Sequence, residues 1–489
     1  MDNAWRVKDV LSWLNINSED DRYVSDLFIN AEKCIKNSIF LAYKGKDYDG
    51  NNYIELAKRN GAIAIISDSN KGICCCDLKN KINYLANKFY DTKNIKLIGV
   101  TGTEGKSTTS YLVSRLYNNL NIKTLLITTT KDIKNSYYSP LTTPDSLTLS
   151  QAISYAKKNE YRQVVFECSS IGIAGKRLDN FHLDEILITR IDEDHLDYHK
   201  TRKNYQMTKI NFAKNKAEKI YILNGNKKKN KFPKSKTICI KEKIKKCRYY
   251  FNKTVFIFDG EKYQTHLLLP FNMENLNLVL GYFKRQGFQN KAIKESLFYV
   301  LPLSGRMEKV SDNVFVDYAH TYESVKKVLK QCKKYFNKPL IVVIGAGGNR
   351  DKGKRKKYGK ALKKYADIVI LTEDNPRNEK TLDILNEIKG KNKFFIISSR
   401  YKAIDFAVNL YFAEKTVLIL GKGDERTIEK NGIKYPFHDK MVVKECLLKY
   451  KSSFSRIACA TQSPPMSIII FLLGVNSTSK EKKDRTADS

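Results

Sequence analysis

The stretch GVTGTEGKSTTSYL, residues 99–112, decides how the chain reads. An apolar run leads into it and an apolar-periodic run follows. Gly102 and Gly105 lack a Cβ, so backbone N–H groups can approach an anion there. Thr103 lies between them, and Lys106 and Ser107 come next. A helix is predicted from Thr108, with Leu112, Leu116 and Leu120 on one face. A phosphate would then sit at a helix N-terminus, over its partial positive charge. Lys106 would reach the outer phosphates and Ser107 would serve Mg²⁺. The strict phosphate loop has Gly where Val100 stands, so this is a shortened GxxGKS form. Taken alone, the stretch also reads as a plain strand-to-helix turn. Glu104 poses its own question, because an acid beside a triphosphate is unfavourable unless it points away or meets a metal ion.

Working outward, IKLIGV, TLLIT, QVVFEC, EILIT and IYILN are short runs, too continuously apolar for a half-exposed sheet. They predict a buried, mostly parallel sheet. Before them, SIFLAYKG (38–45) and GAIAIISD (61–68) read as strands, with YIELAKRN between them as a helix. A second alternating series starts near 314 with VFVDY, LIVVIGA, DIVILT, FFIIS and VLILG. It predicts a separate doubly wound α/β unit. The basic stretch NKKKNKFPKSK (226–236) reads as a solvated loop. Residues 452–489, rich in Ser and Thr and ending in charges, read as a disordered tail.

Composition narrows the function classes. Lys and Arg number 88 against 52 Asp and Glu, a net charge of +36. Such a charge invites a nucleic-acid reading. The lysines are spread along the whole chain, however, and no nucleic-acid-binding motif accompanies them, so solvated surfaces explain them better. The ten cysteines form no CxxC pairs. They read as reduced thiols of a cytoplasmic protein. The amphipathic start is not a signal peptide, and the late apolar run 468–475 is too short to span a bilayer.

Two further segments bear on chemistry. FECSS (166–170) puts Glu167 at a strand end, the usual place of an α/β active site. DEDHLDYH (192–199) sets His195 among carboxylates. Ser107, Glu167 and His195 follow successive strands of one sheet. That favours Mg²⁺ over a solvated acidic turn, and the Cys and His spacings do not match zinc sites.

GTEGKSTT, LTTPDS, ECSSIG, DHLDYH, GRMEKV, VDYAHT, GGNRDKGKR, EDNPR and GKGDE occur in that order. In this ordered set the chain resembles the Mur ligases, over about residues 20–450. The resemblance implies three α/β domains: an N-terminal UDP-sugar-binding domain (1–95), a central ATP-binding domain with a mostly parallel sheet (96–303), and a Rossmann-like amino-acid-binding ligase domain (304–451). It implies ATP and Mg²⁺ as cofactors and a monomer. It also implies addition of meso-2,6-diaminopimelate to UDP-N-acetylmuramoyl-L-alanyl-D-glutamate through an acyl phosphate. ATP would be held by Gly102, Thr103, Gly105, Lys106, Ser107, Thr108, Arg306, Asp317 and His320. The metal would be held by Ser107, Glu167, His195 and Lys209, the last carbamylated to N6-carboxylysine. Thr142, Thr143, Ser169 and Arg177 would bind the nucleotide-sugar dipeptide. Arg350, Asn375, Arg377, Gly421 and Glu425 would bind the added amino acid, and Arg377 suits a distal carboxylate that lysine and ornithine lack. The chain departs from the family pattern at Ala31, Glu104, Ile171, Arg190 and Asp424. A nucleotide-binding descendant without ligase activity is the alternative these departures support.

Overall fold

The computed structural model describes residues 5–45, 48–350, 352–411 and 415–460. At its centre is a seven-stranded sheet, all neighbours parallel. Its order is Thr237–Ile240, Ala217–Leu223, Leu183–Ile188, Lys96–Thr101, Gln163–Glu167, Thr124–Thr128, Ser136–Tyr138. The strands are apolar on both sides because both faces are covered. Ile98 and Val100 pack with Leu112, Leu116 and Val279 on one face, whereas Leu97 packs with Leu149, Ile153 and Ile210 on the other. The strand order reverses at Lys96–Thr101, so the loop after it opens at the switch point where such sheets bind ligands.

Leu27–Phe28, Ser38–Ala42, Ala62–Ser67 and Ile73–Cys74 form a smaller parallel sheet, packed on the helices Val7–Ser12 and Leu78–Phe89. A six-stranded sheet follows in the order Glu308–Ser311, Val314–Asp317, Thr416–Leu420, Leu340–Ile344, Ile368–Leu371, Phe395–Ile396. Only its first pair is antiparallel. Period-two alternation is plain in Leu340–Ile344. Leu340, Val342 and Ile344 enter one core, and Ile341 and Val343 enter the other.

Several local expectations shift. The loop helix is Lys106–Asn119 and begins two residues before Thr108. Gly105, at φ 83, is its N-cap, and a Cβ there would lie 2.2 Å from Asn275 Oδ1. Lys106 and Ser107 therefore occupy the first turn, where N–H groups lack helical partners. The strand expected at 38–45 ends at Ala42, and FFIIS contributes only Phe395–Ile396. A three-stranded antiparallel sheet, Lys245–Tyr249, Thr254–Phe258 and Glu261–Thr265, was not anticipated. Its signal was Asp259-Gly260, both at positive φ, between two strand-like runs. The basic stretch 226–236 is pinned by buried Phe232 and a short 3₁₀ turn, Lys229–Lys231, rather than wholly solvated. The last helix, Asp439–Ala460, continues past 451, so 452–460 are helical instead of disordered. The rest of the expected tail, 461–489, lies outside the described residues. Among the described residues, no helix is long and apolar enough to cross a membrane.

Candidate active site

The phosphate loop is tied down from three directions. Thr103 N–H donates to the Arg190 carbonyl (2.7 Å), and its hydroxyl accepts from Asp192 N–H (2.8 Å) and Tyr205 (3.0 Å). Thr189 Oγ1 donates to the Glu104 carbonyl at 2.7 Å. Lys106 Nζ donates to the carbonyls of Gly102 (3.1 Å) and Thr103 (2.8 Å). Thr108 is buried in the first turn of the helix. The Glu104 side chain reaches across to a neighbouring element. It pairs at 3.7 Å with Lys327, on the helix Tyr322–Tyr335 that follows the C-terminal strand Val314–Asp317. This long contact offsets only part of the acid's charge, which still acts on Lys106.

Glu167 ends its strand beside Val100, 2% exposed, and its Oε2 has no hydrogen-bond partner. Burial raises its pKa, while Lys106, the Ser107 hydroxyl, Arg306 and Lys209 oppose the rise. An orphaned buried carboxylate oxygen beside a serine hydroxyl fits a divalent cation. Lys209 lies 1% exposed on the helix Arg202–Lys216, and its Nζ donates to the Gly102 carbonyl at 2.9 Å. Burial, reinforced by Lys106, lowers its pKa well below the ordinary lysine value, against the pull of Asp194, Cys168 and Glu167. A buried neutral amine is the nucleophile that CO₂ requires. Burial also lowers the pKa of Lys106, against Glu167 and Asp194.

Lys106, Ser107, Glu167 and Lys209 thus form one cluster. His195 stands at its rim, exposed at φ 50, with Nε2 3.6 Å from Asp194 Oδ2. Asp194 acts electrostatically on both lysines, a part that sequence reasoning did not assign to it. Among the described residues no group of three His, Cys, Asp or Glu is placed to hold a metal ion.

Beside Glu167, Thr143 Oγ1 lies 2.8 Å from the Glu167 carbonyl and accepts from Ser169 N–H at 2.7 Å. Arg177 Nη1 donates to the Thr143 carbonyl at 2.8 Å. Thr143, Ser169 and Arg177 are therefore one group, with Thr142 exposed next to it. Ala31 is buried in the small N-terminal core, and its position offers no hydroxyl.

The C-terminal sheet supplies the opposite wall. Arg306 Nη2 donates to Ser107 Oγ at 3.3 Å, and its guanidinium lies 4.3 Å from the Tyr318 ring centre. Asp317 accepts from Met307 N–H (2.7 Å) and Ala319 N–H (2.8 Å). Each of its oxygens takes one backbone donor, so it ties the Arg306 segment to the turn that leads to His320. His320 Nδ1 lies 2.9 Å from the Tyr318 carbonyl, and desolvation, helped by the cations Lys354 and Arg306, lowers its pKa against that contact.

The residues expected to read the amino acid also converge. A Cβ at Gly347 would lie 3.1 Å from Arg377 Nη1 and 3.8 Å from Arg350 Cγ, so the two arginines flank this glycine. Arg350 is exposed. Arg377 donates to the Gly348 carbonyl (2.8 Å) and pairs with Glu429 (3.3 Å). Asn375 Nδ2 donates to Glu425 Oε2 at 3.0 Å. Gly421 follows the strand Thr416–Leu420 at φ 113. Three buried cations escaped sequence reading. Lys422 reaches Glu425, Arg355 binds Glu379 and Glu387, and Arg400 binds Asp439 through two 2.7 Å contacts. The only signal was Lys422 itself, held between two glycines at a strand end.

Residues 100–282 match the Mur ligase middle domain, and 305–423 match the Mur ligase glutamate ligase domain. The UDP-N-acetylmuramoyl-L-alanyl-D-glutamate–2,6-diaminopimelate ligase of Aquifex aeolicus is 34% identical over 458 residues, covering 87% of this chain and 94% of that protein. The Rickettsia montanensis ligase of the same name is 32% identical, with coverages of 87% and 96%. A solved ligase of that name superposes with TM-score 0.56 at 26% identity, over 92% of this chain and 99% of the other. The MurF ligase of Thermotoga maritima, solved with ADP, shares the fold at TM-score 0.61 and 18% identity, over 87% and 96%. With relatives aligned over nearly their whole length and both domain models matched, the chain belongs to the Mur ligase family.

Proposed function

We propose that this chain joins meso-2,6-diaminopimelate to UDP-N-acetylmuramoyl-L-alanyl-D-glutamate at the cost of ATP, as a cytoplasmic monomer in peptidoglycan precursor synthesis. One observation carries the reading. Arg306, just before the C-terminal sheet, touches Ser107 of the phosphate-loop helix and lies over the Tyr318 ring, and Tyr318 in turn feels the charge of Glu425. These contacts support a reading in which phosphate chemistry and amino-acid recognition share one cleft.

In the first step a carboxylate oxygen of the dipeptide attacks the γ-phosphorus, the bond to the β-phosphate oxygen breaks, and ADP leaves. In the second, the amine of the incoming amino acid attacks the acyl carbonyl, loses a proton, and expels phosphate. Lys106 and Arg306 neutralise charge on the transferring phosphoryl group, the main requirement of such transfers. Thr142, Thr143, Ser169 and Arg177 orient the dipeptide end. Mg²⁺, held by Ser107, Glu167, His195 and carbamylated Lys209, would screen the phosphates. Carbamylation joins the neutral Lys209 amine to the carbon of CO₂ and releases one proton, giving the anion a metal ligand must be. Arg377 and Arg350 meet the distal carboxylate of the amino acid, and Glu425 meets its distal ammonium.

The same ligation with lysine or ornithine is the second reading, and Arg377 speaks against it, because those substrates have no distal carboxylate for its guanidinium to meet. Purified protein with ATP, Mg²⁺ and the muramoyl dipeptide, offered each amino acid in turn, tests both. Phosphate release and the product mass should appear with diaminopimelate far ahead of the others. Equal use of lysine or ornithine would overturn the substrate assignment, and phosphate release with none would overturn ligation.

A further inference from the structure

We infer that Lys422 is a positioning residue for the incoming amino acid. It engages one oxygen of Glu425 inside the protein and leaves the other for the substrate's distal ammonium. The inference rests on the function proposed above.

Lys422 is 0% exposed, between Gly421 at φ 113 and Gly423 at φ 55. A Cβ at 421 would lie 2.7 Å from Asp374 Oδ2, and one at 423 would lie 2.8 Å from the Gly305 carbonyl. The turn is therefore pressed between the loop after Ile368–Leu371 and the segment that carries Arg306. A fully buried ammonium persists only with partners. Lys422 Nζ has Glu425 Oε2 at 2.8 Å, Asn375 Oδ1 at 3.2 Å and Asp374 Oδ1 at 3.9 Å.

Glu425 Oε2 receives a second donor, Asn375 Nδ2, at 3.0 Å. No described hydrogen bond reaches Oε1, and the Glu425 side chain is 38% exposed against 0% for Lys422. One face of the carboxylate is thus saturated from within, and the other opens to the cleft. Lys422 with Glu425 and Asp374 sums to one negative charge, which an incoming ammonium cancels. Asn375 Oδ1 also accepts Glu429 N–H at 2.9 Å, and Glu429 pairs with Arg377. The lysine therefore lies under both parts of the amino-acid site without facing the substrate.

A double-mutant cycle tests the role, with KM for diaminopimelate and for ATP measured on wild type, Lys422→Met, Glu425→Gln and the double variant. Lys422→Met should raise KM for diaminopimelate about tenfold or more, with KM for ATP changed less than about twofold. In the Glu425→Gln background the same change should add less than about twofold, because the residue it acts through is gone. Equal losses in both backgrounds, or equal losses for ATP, would overturn the inference and leave Lys422 a general stabiliser. If Lys422→Met fails to fold, the double variant, with both charges of the pair removed, decides against Glu425→Gln. Matching kcat/KM supports the inference, and a further loss of about tenfold sinks it. Wild type is also run with lysine and with ornithine. Failure there withdraws the substrate, and the cycle is then scored with whichever amino acid wild type uses.

Discussion

The two polar clusters that face each other across the cleft are built on opposite terms. Around the phosphate loop, buried ionisable groups lack full partners. Glu167 Oε2 has no donor, and Lys209 has one backbone carbonyl and the Tyr205 ring but no carboxylate within ion-pair distance among the described contacts. Around the amino-acid site, buried charges are answered from within, as in Lys422 with Glu425 and Arg400 with Asp439. An unpaired buried charge is costly, so the first cluster suits ions that arrive with the nucleotide. The second is already paired, and under the proposed function it would select by the oxygen it leaves open. Chemistry needs the one to change its charge state, and specificity needs the other not to move.

The largest effect should come from breaking the first cluster at its cation. Lys106→Ala should cut kcat by about 10²-fold or more with the fold intact by circular dichroism. A near-normal rate at saturating Mg²⁺-ATP would take the loop out of the mechanism. Lys209→Ala should lose nearly as much, about 10²-fold, and short-chain carboxylates should restore part of it. Because burial lowers this amine's pKa, it is neutral and open to CO₂ at pH values where an ordinary lysine is charged. Wild-type activity should fall when CO₂ and bicarbonate are stripped, return on their addition, and fail to return as pH drops below the amine's pKa. Density for an unmodified Lys209 in a crystal of active enzyme grown with CO₂ present would refute the carbamate.

Breaking the second cluster should cost selectivity more than rate. Arg377→Ala should lower kcat/KM for diaminopimelate about 10- to 100-fold, leave ATP affinity within about twofold, and erase most of the preference over lysine. An unchanged preference would show that Arg377 reads nothing distal. The smallest effect lies on the bridge between the clusters. The Glu104–Lys327 contact is long and partly exposed, so Glu104→Asn should change stability by no more than about 1 kcal/mol. By removing an acid near the triphosphate it should lower KM for ATP about two- to threefold at low salt, an advantage that fades as salt rises. A raised KM would mean that the contact itself prepares the loop.

Much of the fold is legible in the sequence. Continuous apolar runs such as LIVVI signalled strands covered on both faces, because burial on two sides removes the need for polar alternation. Gly102, Gly105, Lys106 and Ser107 signalled the anion site through local chemistry alone. The hairpin at Asp259-Gly260 was equally local and was overlooked. The helix start at Lys106 was misjudged by two residues, since Gly105's left-handed backbone, not the apolar period, sets the first turn.

The sequence by itself determined the family, the order of the motifs, the parallel α/β architecture and the residue types at the phosphate loop. These depend on periodicity and on neighbours in the chain. Only the tertiary structure decided that Glu104 turns to Lys327, that Asp317 binds backbone, and that Ala31 faces a core. It alone joined Lys422 to Asn375 across 47 residues and Arg306 to Ser107 across 199. A charge's partner is set by which strand ends the fold brings together. A lysine among so many carries no local mark that the fold will bury it.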